Sequence, residues 1–143
     1  MKKIQAFRCV SCAVECSLKE AQYACPRCGG NLQVVYDYRL IAKGFTRKSL
    51  KADPERALWR YLPILPVAGR RHLPAVQVGW TPLYRALRLG AALGLPRLYV
   101  KDDGRNPSAS LKDRASAIVA ARARETGQRI VAGASTGNAA ASL

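Results

Sequence analysis

All five cysteines of the chain fall within its first 28 residues. Four of them form two short pairs, Cys9-x-x-Cys12 and Cys25-x-x-Cys28, with twelve residues between the pairs. Two turn-held thiolate pairs at this spacing can close a tetrahedron around Zn²⁺. Pro26 and Gly29-Gly30 supply turn chemistry around the second pair, and strand-like runs at 5–7 and 32–36 flank the site. Residues 1–36 therefore read as a small zinc ribbon. A segment this short buries little apolar surface, so the metal would supply its folding energy. Disulfides are the competing reading, but they need an oxidising compartment that nothing in the sequence indicates. Cys16 is the odd thiol. Its offset from Cys12 completes no second pair, and it reads as a non-ligand.

Composition narrows the remaining choices. Apolar residues make up 49% of the chain, enough for a packed core. There is no run of about 18 apolar residues for a membrane span. Lys2 and Lys3 are not followed by the apolar core of a signal peptide. A soluble cytoplasmic protein is expected. The net charge is +15, from 24 basic and 9 acidic residues, which raises a nucleic-acid reading. The basic residues are spread along the chain, however, and Lys2-Lys3, Arg47-Lys48 and Arg70-Arg71 are pairs rather than tracts. No basic stripe with interleaved aromatics appears. The charge reads as a solvated, arginine-rich surface, which would also attract phosphorylated small substrates.

Residues 37–79 read as a linker with one short helix. Asp53-Pro54-Glu55 is a helix start, with Asp as cap and Pro at the first helical position. The helix is expected through Ala57, Leu58, Trp59 and Tyr61, ending before Pro63. Trp59 and Tyr61 read as packing anchors. From residue 80 the pattern changes to strands and helices. A helix should follow Leu83 and stop at Gly94, and Arg97–Lys101 should be a strand.

The stretch 106–114, Asn-Pro-Ser-Ala-Ser-Leu-Lys-Asp-Arg, then joins that strand to an alanine-rich helical pattern ending at Gly127. Ser110 reads as its N-cap, and Asp113, three residues on, completes the spacing of a capping box. That puts Lys112 in the first helical turn, beside unpaired N–H groups and the positive end of the helix dipole. The dipole contributes only about 0.3–1 kcal/mol. Desolvation is needed as well to bring a lysine into the range useful for chemistry. A neutral, partly buried lysine suits covalent attachment to an aldehyde cofactor. The core positions of the helix are read as Ala115, Ile118 and Val119. Downstream, Ile130–Gly133 reads as a buried strand, followed by the small polar loop Ala134-Ser135-Thr136-Gly137-Asn138 and another helix start. Such a loop offers N–H groups and hydroxyls to a carboxylate. Strand, helix and strand would form a βαβ unit with parallel strands. Both loops would then lie at one sheet edge, where ligands of open α/β sheets bind.

The run 106–114 together with Ser135-Thr136-Gly137-Asn138 resembles the fold-type II pyridoxal-phosphate enzymes, the tryptophan synthase β-like group. Leu58–Tyr61, Leu65-Pro66-Val67 and Gly79–Leu83 resemble the segments that precede the catalytic domain in the threonine synthases of that group. Ala109 departs from the pattern where the family often has Gly, and Leu111 where it often has Phe. The resemblance implies an α/β fold with a three-layer parallel sheet, of which residues 80–143 would be the N-terminal part. It also implies pyridoxal phosphate held covalently by Lys112, with Asn138 at the cofactor's phenolic oxygen. Ser135, Thr136, Gly137 and Asn138 would hold a substrate carboxylate, and Lys101 would help bind a substrate phosphate. The implied reaction converts O-phosphohomoserine and water to L-threonine and phosphate.

A glycine-rich loop for the cofactor phosphate, which the family places later in the chain, is absent from this sequence. The chain is therefore expected to be the N-terminal part of a longer enzyme, and not a competent catalyst as given. The alternatives are a sister reaction on the same scaffold (serine or threonine dehydration, cysteine or cysteate synthesis) and a basic zinc-ribbon module that binds nucleic acid or protein. The partner expected is an amino-acid substrate rather than a membrane or nucleic acid, and homo-oligomerisation stays open.

Overall fold

The computed structural model of the chain describes residues 3–20 and 23–143, so Lys2 of the first basic pair lies outside them. The chain divides into two compact units. One contains the residues up to Pro54 together with Tyr61–Ala68. The other contains Glu55–Arg60 and Gly69–Leu143. Among the described residues no helix is long and apolar enough to cross a membrane.

The first unit is organised on a three-stranded antiparallel sheet with strand order β2-β1-β3. Its strands are β1 (Ile4–Cys9), β2 (Glu15–Cys16) and β3 (Leu32–Tyr36). Phe7 stands opposite Cys16 on one side and Val34 on the other, and a register shift between Ile4 and Ala6 bends the long pairing. Two short helices follow, α1 (Tyr38–Ala42) and α2 (Arg47–Ala52). Asp37 caps α1 by accepting from the Leu40 N–H, and Thr46 with Ser49 forms a capping box at the start of α2. The 37–79 region thus holds more regular structure than the single helix expected. These helices span under two turns, so their signal in the sequence is their caps and not an apolar period. Among the described residues the buried aliphatic side chains of this unit are few: Ile4, Ile41 and the fully enclosed Val67. Phe45 meets Tyr61 edge to face, with ring centroids 6.4 Å apart.

A 3₁₀ helix spans Leu58–Ile64 and contains Pro63. The helix expected here was to end before that proline. Pro63 lacks an N–H and cannot sustain an α-helical ladder, whereas a short 3₁₀ turn tolerates it. Trp59 is buried, as expected of an anchor, while Tyr61 stays partly exposed.

In the second unit β4 (Leu83–Arg85) leads through α3 (Leu87–Ala92) to β5 (Tyr99–Lys101). The two strands pair antiparallel, Leu83 opposite Lys101 and Arg85 opposite Tyr99. Gly94 ends α3 at φ +67°. The long helix α4 (Asp113–Glu125) follows, and then α5 (Asn138–Ser142). Two expectations are corrected here. Ile130–Gly133 is irregular, with Ile130 84% exposed, and no parallel strand pair forms among the described residues. A parallel strand is stable when helices cover both of its faces. Residues 130–133 have no such cover, and both faces of β4 and β5 are themselves exposed. On α4 the buried positions are Asp113, Ala117 and Ala121, spaced by four, in place of Ala115, Ile118 and Val119. The helix packs through its alanine stripe, with Ile118 half-buried and Val119 exposed.

Candidate functional site

The four paired cysteines converge. The sulfurs of Cys9, Cys12, Cys25 and Cys28 all lie within 4.8 Å of one another. Cys9 Sγ stands 3.5 Å from Cys28 Sγ, and Cys12 Sγ stands 3.7 Å from Cys25 Sγ. A disulfide would need about 2.05 Å. Four sulfurs bonded to one zinc at about 2.3 Å sit about 3.8 Å apart, so these two distances come close to the edge of that tetrahedron.

Local backbone builds the cluster twice over. In the first pair the Ala13 N–H donates to the Cys9 carbonyl and the Cys9 N–H to the Val14 carbonyl. In the second the Gly29 N–H donates to the Cys25 carbonyl and the Cys25 N–H to the Gly30 carbonyl. The residue after each pair is left-handed, Ala13 at φ +60° and Gly29 at φ +71°. Gly30 lets the two turns approach. A Cβ there would stand 2.6 Å from Ser11 Oγ and 3.0 Å from Cys9 Sγ.

The Cys12 and Ser11 N–H groups both point at Cys9 Sγ, at 3.5 and 3.4 Å. They favour its thiolate against desolvation and lower it to about 6, with the Cys12 N–H the larger cause. At Cys28 the Gly30 N–H works in the same direction. The neighbouring sulfurs of Cys12 and Cys9, together with burial, outweigh it and push that thiol up to about 12. Cys16 is buried on β2 outside the four-sulfur group, and desolvation followed by the charge of Cys25 raises its thiol.

In the second unit α4 starts two residues later than expected, so that Lys112 in place of Ser110 occupies its N-cap position, and the Lys112 side chain is exposed. The desolvation anticipated for it is not supplied by the described residues. The capping arrangement also differs. Ser110 Oγ accepts from the Lys112 N–H at 3.1 Å. Asp113, buried, takes the Ser108 N–H at 2.8 Å and the Ser108 hydroxyl at 2.6 Å, in place of the Ser110 backbone. Ala109, left-handed at φ +55°, makes the turn that brings Ser108 and Asp113 together.

A second set of bonds ties the same loop to its surroundings. Arg114 forks onto Asp103, Nε to Oδ2 at 2.8 Å and Nη2 to Oδ1 at 2.7 Å. The Thr81 hydroxyl donates to Asp103 Oδ1 at 2.7 Å. Bonds from Arg114 and then Thr81 hold the Asp103 carboxyl well below the usual carboxylate range. Asn106, buried, accepts the Gly79 N–H at 2.9 Å and donates to the Asp103 carbonyl at 2.9 Å. Gly79 and Trp80 are consecutive left-handed residues, and the Arg60 guanidinium lies 4.5 Å from the centroid of the Trp80 ring. Lys101 turns its ammonium onto the Thr81 carbonyl. It therefore joins this network.

Ser135, Thr136, Gly137 and Asn138 are exposed. The Ser135 hydroxyl accepts from the Gly137 N–H, and Asn138 opens α5. α5 packs on α4, where the hydroxyls of Ser116 and Ser142 meet at 2.6 Å. Among the described residues no hydrogen bond joins Lys112 to the 135–138 loop. In the sequence Asn106 and Arg114 stand in the lysine stretch without a role, and Asp103 was not singled out. Their signal is a run of polar and charged residues between strand and helix that a solvated loop would not need to bury.

Residues 75–143 match the family described as pyridoxal-phosphate dependent enzyme. Over these residues the chain is similar to that family. The α/β class read from the sequence agrees with this match. The chain is also similar to threonine synthase of Methanocaldococcus jannaschii, 41% identical over 95% of this chain and 33% of that protein. With threonine synthase of Methanosarcina acetivorans it shares 39% identity over 96% of this chain and 33% of that protein. A threonine synthase of a Synechocystis strain is 39% identical over 57% of this chain and 22% of that protein. The chain spans about a third of the length of the first two relatives.

Proposed function

We propose that a protein containing this chain is a pyridoxal-phosphate-dependent threonine synthase, which takes O-phosphohomoserine and water to L-threonine and phosphate in the cytoplasm. In this reading residues 1–36 form a zinc ribbon. Residues 37–79 connect it to residues 80–143, the N-terminal part of the cofactor domain. The observation that carries the reading is the reach of the similarity. It spans the cysteine region as well as the lysine loop in two threonine synthases, whereas the family match alone begins at residue 75.

The chain's own residues fit the cofactor in one respect that geometry can test. Lys112 is an exposed amine on a backbone fixed at Ser110, Asp113 and Arg114, free to reach a ligand while its base stays still. When bound, pyridoxal phosphate supplies an electron sink for carbanions at the substrate's α carbon. Lys112 would hold it and, when released, move protons at the α and β carbons. Asn138 would meet the phenolic oxygen. Ser135, Thr136 and Gly137 would orient the substrate carboxylate, and Lys101 would add positive charge near the substrate phosphate. The four cysteines would hold a structural Zn²⁺, with all four positions filled by protein and none open to substrate.

The test is chemical. The intact protein is incubated with pyridoxal phosphate, reduced with borohydride, digested and mapped by mass. The label should sit on Lys112 and vanish in Lys112→Ala. A label on Lys101, or on no lysine, would overturn the assignment. Phosphate release from O-phosphohomoserine supports the synthase, whereas ammonia release from serine or threonine would move the protein to a dehydratase.

A further inference from the structure

We infer that Asp103 and Arg114 are positioning residues that set where the Lys112 amine stands. The inference rests on the reading of Lys112 as the cofactor lysine. The two residues after Lys112 both send their side chains backwards along the loop. Asp113 reaches Ser108, five residues back, through two bonds of 2.8 and 2.6 Å. Arg114 reaches Asp103, eleven residues back, through two bonds of 2.8 and 2.7 Å. The loop is thus held at its middle and at its root by consecutive residues of the first turn of α4.

The root is anchored further. Asp103 Oδ1 also accepts the Thr81 hydroxyl, and Asn106 joins the Asp103 carbonyl to the Gly79 N–H. Through these bonds the start of α4 is fixed to residues 79–81 and to the end of β5, independently of α4's alanine stripe. The Arg114–Asp103 pair is mostly shielded, with side chains 31% and 23% exposed. A forked guanidinium–carboxylate pair fixes an angle as well as a distance. Lys112 lies between these ties with its own side chain exposed. Everything on its backbone is fixed and its amine is free, the arrangement that a covalent attachment point requires.

The decisive variant is Arg114→Lys, which keeps the charge and loses the fork. Asp103→Asn, nearly the same shape without the charge, is the second variant where the first is produced poorly. Two readouts are taken on the intact protein. One is amide exchange over residues 106–112, with α4 residues 117–124 as internal reference. The other is the pH midpoint of the absorbance band of protein-bound pyridoxal phosphate.

Either variant should speed exchange of the Ser108 and Lys112 amides at least tenfold while residues 117–124 stay protected, and the midpoint should move. Equal acceleration along α4 would show a merely structural pair and overturn the inference, as would unchanged exchange over 106–112. A normal band in the unsubstituted protein with an unmoved midpoint in both variants defeats the positioning role alone. No lysine-bound band in the unsubstituted protein defeats the cofactor reading, and the positioning role falls with it.

Discussion

The cysteine unit and the lysine unit hold their chemistry in contrasting ways. In the first, two turns of matching geometry bring four sulfurs together, and the only aliphatic side chains buried in that unit among the described residues are Ile4, Ile41 and Val67. In the second, Trp59, Leu58 and Val78 are buried and a charged network fixes a loop, yet Leu83, Leu87, Tyr99 and Ile130 remain exposed. A site closed by its own ligands is local, and about twenty residues contain all of it. A site that needs a desolvated amine depends on whatever covers it, and the described residues do not cover Lys112. The same division separates what can be tested on the N-terminal unit from what needs the intact protein.

Removing a cysteine should break the contrast most severely. Metal analysis of the purified protein should find about one Zn²⁺ per chain, and Cys25→Ser should lose it. Structural zinc contributes roughly 10–16 kcal/mol of apparent binding energy in small domains. So few buried aliphatic residues cannot replace that, and the strands at 4–9 and 32–36 should lose their amide dispersion in a nuclear magnetic resonance spectrum. Stoichiometric zinc in Cys25→Ser would sink the four-ligand assignment.

Trp59→Ala asks whether the second unit lives by its core. Truncating a buried tryptophan costs about 3–5 kcal/mol, a large share of the stability of a small domain. Thermal unfolding of the lysine unit should drop sharply while zinc content stays at one per chain. Loss of zinc in this variant would mean that the two units do not stand on separate supports.

A smaller effect is expected from acid. The folded Asp103 carboxyl titrates below its unfolded value of about 3.9. Its pairing therefore adds stability above that unfolded value, and the contribution is lost as pH falls through the folded one. Stability of the second unit should be level from pH 7 to about 5 and decline below about 4. Asp103→Asn should cost about 1–2 kcal/mol at pH 7, the lower part of the range for bonds to charged groups because the pair still meets water. It should also flatten the acid limb. An unchanged acid limb in Asp103→Asn would assign the decline to another carboxylate.

How much of this was legible in the sequence follows the same local–nonlocal line. The cysteine cluster was readable because thiolate spacing alone encodes a tetrahedron. Gly94 and Gly127 marked helix ends that the structure keeps at φ +67° and +71°. Thr46 and Ser49 carried a readable capping box, but α2 has only six residues and no apolar period to draw attention to it. Asp113 was read as capping Ser110 because local spacing favours three residues, whereas the left-handed turn at Ala109 redirects it to Ser108. Ile130–Gly133 was read as a strand from its apolar run. An apolar run states that a segment seeks burial, and not that a pairing strand is at hand.

The smallest expected effects come from two alanines, one in each unit. Ala13 and Ala109 both stand left-handed, at φ +60° and +55°, and both are exposed. An L-residue in that region gives up roughly 1–2 kcal/mol relative to its usual conformations. Glycine avoids that cost but gains unfolded-state freedom worth about 0.4–1 kcal/mol. The difference favours glycine at both sites by about 0.5–1 kcal/mol. At Ala13 the expectation has an internal control, since the equivalent position after the second cysteine pair is Gly29. Ala13→Gly should tighten zinc binding about two- to fivefold, measured by competition with a chelator. Ala109→Gly should raise the unfolding free energy of the lysine unit by a similar amount in denaturant titration. If glycine helps at residue 13 and harms at residue 109, the Ala109 methyl group is holding the loop beside Lys112 in a way that its backbone angles alone do not explain.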